Sequence, residues 1–277
     1  MTARRLARVL GGWVVFVWLI ASHHPGTADG EMNELMFVLG TGVFSAVGAV
    51  LPYLAVEPTV RRWWPWRLTA WTRLFAGRWR DPMVGRDLLV GMVLGTATAS
   101  VFVGVNWIGD VAGIPVPGPA TPDGSPLTSP LPTSTALGML TSGLMAPVFQ
   151  LFLAFAVFLV VRREWAAWPG YVAVAWIVWW VNVLNHLSPA VVPAAVAVGL
   201  VNALVMAFLL ARFGLLGASG FFAASVVLAA APLTANPAAW YFPRAAVAVG
   251  CLLGLAGFCC WTATGGKRLF TEGFFGD

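Results

Sequence analysis

Residues 57–82 read EPTVRRWWPWRLTAWTRLFAGRWRDP, a stretch with six arginines and five tryptophans in 26 residues. Long apolar segments flank it on both sides. Arginine and tryptophan together suit three settings: a nucleic-acid surface, a catalytic site, or an element at a membrane surface. What surrounds the stretch decides among them.

The chain has 277 residues, of which 59% are hydrophobic and 10% charged. Its mean hydropathy is +0.82. A soluble domain carries about a quarter charged residues, so this chain has too few to cover a water-facing surface. The expectation is an all-α polytopic membrane bundle, with 1–277 forming a single membrane domain. About 20 apolar residues cross a bilayer. On that rule eight helices are expected, at 6–22, 34–56, 87–109, 135–161, 166–184, 190–211, 214–232 and 244–263. The start, MTARRLARVLGGWVVFVWLIASHH, has the basic-then-apolar order of a signal peptide. Trp13 and Trp18 interrupt its core and no small-residue cleavage site follows, so it reads as a retained, short first helix.

The arginines orient the bundle. With the N-terminus in the cytoplasm, eight crossings put both termini inside and place fifteen of the sixteen basic residues there. Only Arg244 falls outside, as the bias of Lys and Arg toward the cytoplasmic side requires. The net charge of +5 therefore reports topology. Residues 57–86 become a cytoplasmic basic, Trp-rich interfacial segment. Residues 110–133 become an outer loop of Pro, Gly, Ser and Thr that cannot bury a core. The expected location is the bacterial cytoplasmic membrane, crossed many times.

After Pro65 the opening stretch can be helical. At 100° per residue Leu68, Trp71, Leu74 and Phe75 share one face, with Arg67 and Arg78 at its two ends. That pattern predicts a helix in the membrane interface, apolar side down, with both arginines snorkelling to headgroups. Glu57 and Arg61, four apart, can pair, and Arg62 adds charge beside them. Asp87 is expected to cap the third helix. The alternating run Arg80-Asp81-Pro82-Met83-Val84-Gly85-Arg86-Asp87 marks a turn before it. Basic and aromatic residues also serve nucleic-acid binding; tethering between spans sets that aside, and no nucleic-acid partner is expected.

The string YLAVEPTVRRWWPWRLTAWTRLFAGRWRDPMVGRDLLVG resembles the membrane-embedded C-terminal region of certain bacterial serine/threonine protein kinases of acidobacterial type. The shared pattern falls on Glu57, Pro58, Arg61, Arg62, Trp64, Pro65, Trp71, Arg73, Arg80, Asp81, Pro82, Gly85, Arg86 and Asp87. Ala21-Ser22-His23-His24, Arg163-Glu164-Trp165, Arg212-Phe213-Gly214-Leu215-Leu216, Ala239-Trp240-Tyr241 and Gly265-Gly266-Lys267-Arg268-Leu269-Phe270 extend it over nearly the whole chain. The sequence departs from that family in one respect: it holds no glycine-rich loop, no histidine-arginine-aspartate loop and no aspartate-phenylalanine-glycine. No kinase catalytic residue carries over. The resemblance implies a non-catalytic anchor or sensor module. Its partners would be the lipid bilayer, a cytoplasmic kinase encoded elsewhere or upstream of Met1, or a second copy.

Other chemistry is sparse. No charged residue falls near the middle of any expected helix, which argues against a proton-coupled carrier. Gln150, Asn182, Asn202 and Thr98 are the intramembrane polar residues. They suit helix-to-helix hydrogen bonds, or, in an alternative reading, the ligand contacts of a small-molecule or lipid transporter near Gln150 and Asn202. His23, His24 and His186 share the outer face, with Asp29 and Glu31 as further oxygen donors, but their spacing matches no metal signature. Glu57-x-x-x-Arg61 has the form of an intramembrane-protease motif without the histidines such enzymes use. Cys251, Cys259 and Cys260 read as small apolar helix residues. Gly91-x-x-x-Gly95 and Gly250-x-x-x-Gly254 permit close helix approach, within the chain or between copies. No cofactor, metal or enzymatic activity is expected.

Overall fold

The computed structural model describes Arg8, Gly12 and residues 26–111, 133–183, 192–230, 237–238 and 242–265. The expected first helix at 6–22 apart from Arg8 and Gly12, His23, His24 and His186, nearly all of the outer loop 110–133 and the side chain of Asn182 lie outside the described residues. Every described secondary-structure element is helical. α1 is Ala28–Trp63 and α2 is Thr69–Phe75, with a 3-10 turn at Pro65–Leu68 between them. α3 is Pro82–Val111, α4 Thr133–Val161, α5 Glu164–Val183, α6 Val192–Arg212, α7 Gly214–Ala230 and α8 Phe242–Ala263.

Local chemistry sets these ends. Thr27 caps α1, its hydroxyl accepting from the Gly30 N–H at 3.3 Å. Asp29 and Glu31 then occupy the first turn and Arg61 and Arg62 the last, each with the sign that the helix dipole favours. α1 thus runs beyond the expected 34–56 to Trp63, where Pro65 cannot continue it. α3 starts earlier than the expected residue 87. Asp81 is its cap, with Oδ1 accepting from the Met83 N–H at 3.0 Å, and Pro82 takes the first helical position, where its missing N–H costs nothing. The capping role expected of Asp87 therefore belongs to Asp81. Between α4 and α5 only Arg162 and Arg163 intervene, and Arg162 takes a left-handed conformation at φ 58° to turn the chain.

The closest helix pair is α3 with α7. A side chain at Gly91 would run into the Gly217 carbonyl, one at Gly95 into that of Phe221, and one at Gly220 into that of Leu88. The Ser225 hydroxyl donates across the pair to the Gly95 carbonyl at 3.3 Å. Gly91-x-x-x-Gly95 is thus a packing seam inside the chain. Gly250 and Gly254 face open space, so that second spacing makes no seam with the described residues. The main core gathers Trp64, Trp71, Phe155, Tyr171, Leu209, Leu216 and Phe221, and a smaller one Met92, Ala224, Val227, Leu252 and Cys259.

Among the described residues two stretches, Pro82–Val105 and Ala195–Arg212, are long and apolar enough to cross a membrane. Met145–Val161, Gly214–Leu228 and Ala248–Ala263 are shorter apolar helices. The outward faces carry large apolar side chains: Phe44 is 78% exposed, Val160 84% and Leu253 67%.

Candidate functional site

The quoted arginine–tryptophan stretch folds against the ends of the helices. The Trp64 N–H closes α1 on the Val60 carbonyl at 2.6 Å, and the Arg67 N–H reaches the Trp64 carbonyl at 3.1 Å to form the 3-10 turn. The turn tucks Arg67 and Leu68 inward, where they are 2% and 1% exposed. Gly214 permits this approach. It sits at φ 65°, and a Cβ there would strike the Arg67 carbonyl.

Arg67 occupies an aromatic cage. Its guanidinium carbon lies 3.6 Å from the centroid of Trp64, 4.7 Å from Trp168 and 4.9 Å from Trp66. Trp64 and Trp168 are nearly parallel, with centroids 5.9 Å apart at 19°. Arg67 Nη2 donates to Glu164 Oε1 at 2.7 Å. Nε and Nη1 are buried with no acceptor among the described residues. Burial pulls the guanidinium down from its ordinary value to about 10, with the Glu164 carboxylate opposing the shift. It remains a cation at neutral pH. The π-faces supply the electron density that water would otherwise give.

Two expectations for this segment are corrected. Arg67 does not snorkel to headgroups; it is enclosed by tryptophans. The face of Leu68, Trp71, Leu74 and Phe75 does not lie down in lipid, since Trp71 is fully buried and α2 packs on α3 and α7. The cause is the turn at Pro65–Leu68, which rotates this face onto the bundle. Arg78 is exposed.

The remaining candidates sort by partner. Arg61 Nε and Nη2 donate to Glu57 Oε1 at 2.9 and 2.7 Å, so the expected pair forms; Arg62 is exposed beside it. Arg73 Nη1 donates to Asp81 Oδ2 at 2.8 Å. Arg86 Nε and Nη2 donate to buried Asp87 at 3.0 and 2.9 Å. The Arg80 guanidinium lies 5.8 Å from the Trp261 ring. Gln150 accepts from the Tyr171 hydroxyl at 2.8 Å, joining α4 to α5. The Thr98 hydroxyl bonds back to Leu94 in its own helix at 2.9 Å. Asn202 Oδ1 is buried with no donor among the described residues. No hydrogen bond among the described residues joins Gln150 to Asn202.

Arg67 touches α5 through Glu164 and the α6–α7 turn through Gly214. Gly85 of α3 packs against Thr262 at the end of α8, and Arg86 lies over Phe213 at 5.8 Å. The turns bearing Arg61, Arg62, Arg78, Arg80, Arg162, Arg163 and Arg212 therefore gather at one end of the bundle. Sequence reading passed over Arg67, Glu164 and Trp168 as partners. The available signal was Glu164 itself, an isolated carboxylate directly after Arg162 and Arg163. Among the described residues no group of three His, Cys, Asp or Glu side chains could hold a metal ion. No family model, curated protein or solved structure matches the chain.

Proposed function

We propose that this chain is a multi-span helical protein of the bacterial cytoplasmic membrane, with eight crossings and both termini inside. Its role is that of a non-catalytic anchor and sensor module for serine/threonine-kinase-type signalling. The observation that carries the sensing role is the Arg67 junction. One buried cation ties the basic segment to the α4–α5 and α6–α7 turns, so a shift of either helix pair is felt by the basic surface. A kinase docked on that surface would receive the change. The membrane part is supported by the outward apolar faces of α1, α4 and α8, which a soluble monomer rarely exposes over such an area, and by the gathering of arginines at one end.

Two experiments test the two parts. Cys251 is exposed, Cys259 buried. In sealed vesicles a water-soluble maleimide should leave Cys251 unlabelled until detergent and denaturant are added; immediate labelling would refute the membrane reading. A photo-crosslinker at exposed Arg62 or Trp63 should capture a protein-kinase domain. The triple substitution Arg73→Gln, Arg80→Gln, Arg86→Gln should alter that kinase's activity while insertion persists. If the triple variant inserts and kinase activity is unchanged, the signalling role is wrong.

A further inference from the structure

We propose that the basic end of the bundle binds one anionic phospholipid, with an acyl chain in an apolar cavity beside Trp71 and the phosphate between Arg78 and Arg80. The inference rests on the membrane reading and adds a ligand to it.

The cavity measures about 270 Å³ and lies among α2, the start of α3, α7 and α8. Trp71, Leu74, Val84, Leu216, Leu255 and Cys259 supply its walls. Two hydroxyls also line it, and both are already committed: Ser219 donates to the Leu215 carbonyl at 3.0 Å and Thr262 to that of Cys259 at 2.9 Å. The lining thus offers hydrocarbon, which suits an alkyl chain and not a polar solute or a peptide backbone. One donor is unspent. The Trp71 indole N–H is buried with no acceptor among the described residues, and an ester carbonyl is an acceptor of the kind a glycerolipid carries near its headgroup.

A second hollow of about 560 Å³ adjoins it, bounded by Gly77 to Asp81 and by Phe258. Trp79 and Phe258 border both spaces, so an apolar pocket meets a basic mouth. The charge at that mouth is uncompensated. The Asp81 carboxylate is taken by Arg73 at 2.8 Å and by the Met83 N–H at 3.0 Å. Arg78 makes no side-chain hydrogen bond among the described residues, and Arg80 has only the Trp261 ring at 5.8 Å. Two guanidiniums with free forks match phosphate oxygens. A free phosphate would leave the hydrocarbon cavity empty, and a zwitterionic lipid would bring its own cation to a cationic mouth. An anionic phospholipid satisfies both halves.

The test uses the full chain, purified in mild detergent and examined by native mass spectrometry with phosphatidylglycerol, phosphatidylcholine of the same acyl chains, or inorganic phosphate. The wild type should retain one phosphatidylglycerol and no phosphatidylcholine, and millimolar phosphate should not displace it. Arg78→Gln with Arg80→Gln, both at exposed positions, should lower retention roughly tenfold or more. Val84→Trp, which fills the cavity, should abolish it; where that variant fails to fold, the arginine pair decides. Equal retention of phosphatidylcholine, displacement by phosphate, or undiminished retention in the double variant would each overturn the proposal. A chain that stays monomeric in water without detergent would refute the membrane reading instead.

Discussion

Removing Glu164 should destabilise the protein more than removing Glu164 and Arg67 together. The Arg67 side chain is 1% exposed and that of Glu164 is 55% exposed. Breaking a fully buried pair by deleting one partner costs about 3–5 kcal/mol. Water reaches the carboxylate here, so the charge-assisted hydrogen bond lost in Glu164→Ala is better placed near 2 kcal/mol. The variant also leaves a caged cation with no anion, its Nε and Nη1 already lacking acceptors. Adding Arg67→Met removes that cation. The change forfeits cation–π attraction of about 2 kcal/mol. It relieves the cost of unsatisfied donors, about 1–3 kcal/mol each, and a thioether packs well on Trp64 and Trp168. The double variant should therefore recover about 1–2 kcal/mol relative to Glu164→Ala. At roughly 2–4 °C per kcal/mol for chains of this size, Glu164→Ala should melt about 4–8 °C lower and the double variant should regain part of that. Thermal unfolding in one detergent, followed by circular dichroism, measures both. A double variant as unstable as the sum of its singles would refute the buried-charge account, as would a Glu164→Ala variant with an unchanged midpoint.

Other outcomes follow from the glycine seam, the caps and the interhelical hydrogen bond. Gly95→Leu should cost more than the roughly 1–3 kcal/mol usual for overpacking, because the obstruction is the Phe221 backbone, whereas Gly250→Ala and Gly254→Ala should be neutral or stabilising by up to about 1 kcal/mol; melting midpoints separate the two sets. Gly214→Ala should lower the midpoint even though it adds one methyl, since it meets both a left-handed φ and the Arg67 carbonyl. Asp81→Ala, which frees Arg73 and removes the α3 cap, should cost about 1 kcal/mol, the cap loss being visible as faster amide exchange at residues 83–85. Gln150→Leu should cost about 0.6–2 kcal/mol, and adding Tyr171→Phe should recover part of it, because the orphaned hydroxyl goes too.

The helices were legible because their signals are local. Apolar runs bounded by arginine, proline or glycine mark α3 to α8 to within a few residues, and the Glu57–Arg61 spacing and the Gly91–Gly95 spacing each state a contact that forms. The α3 start was misplaced because two acidic residues, Asp81 and Asp87, both precede apolar sequence. What favours Asp81 is the proline directly after it, a local cue outweighed by the length of the apolar run. Gln150 was recognisable as an interhelical donor or acceptor, but Tyr171, its partner, is one of three tyrosines whose placement depends on how α4 and α5 are rotated.

The Arg67 cage was illegible for a different reason. A helical period shows that Leu68, Trp71, Leu74 and Phe75 share an apolar face; it does not show what that face lies against. A bilayer and the interior of a helix bundle are both hydrocarbon, so amphipathicity alone assigns the same energy to either. Three residues far away in sequence break the tie. Glu164 supplies the anion that lets a guanidinium leave water, Trp168 closes the second face of its cage, and Gly214 omits the side chain that would keep the Arg67 backbone out. Without Glu164 the arginine would be cheaper in a polar, hydrated setting. With a Cβ at position 214 the 3-10 turn would seat only after the Arg67 backbone shifted. The direction of the segment is thus a balance set by the α4–α5 and α6–α7 turns.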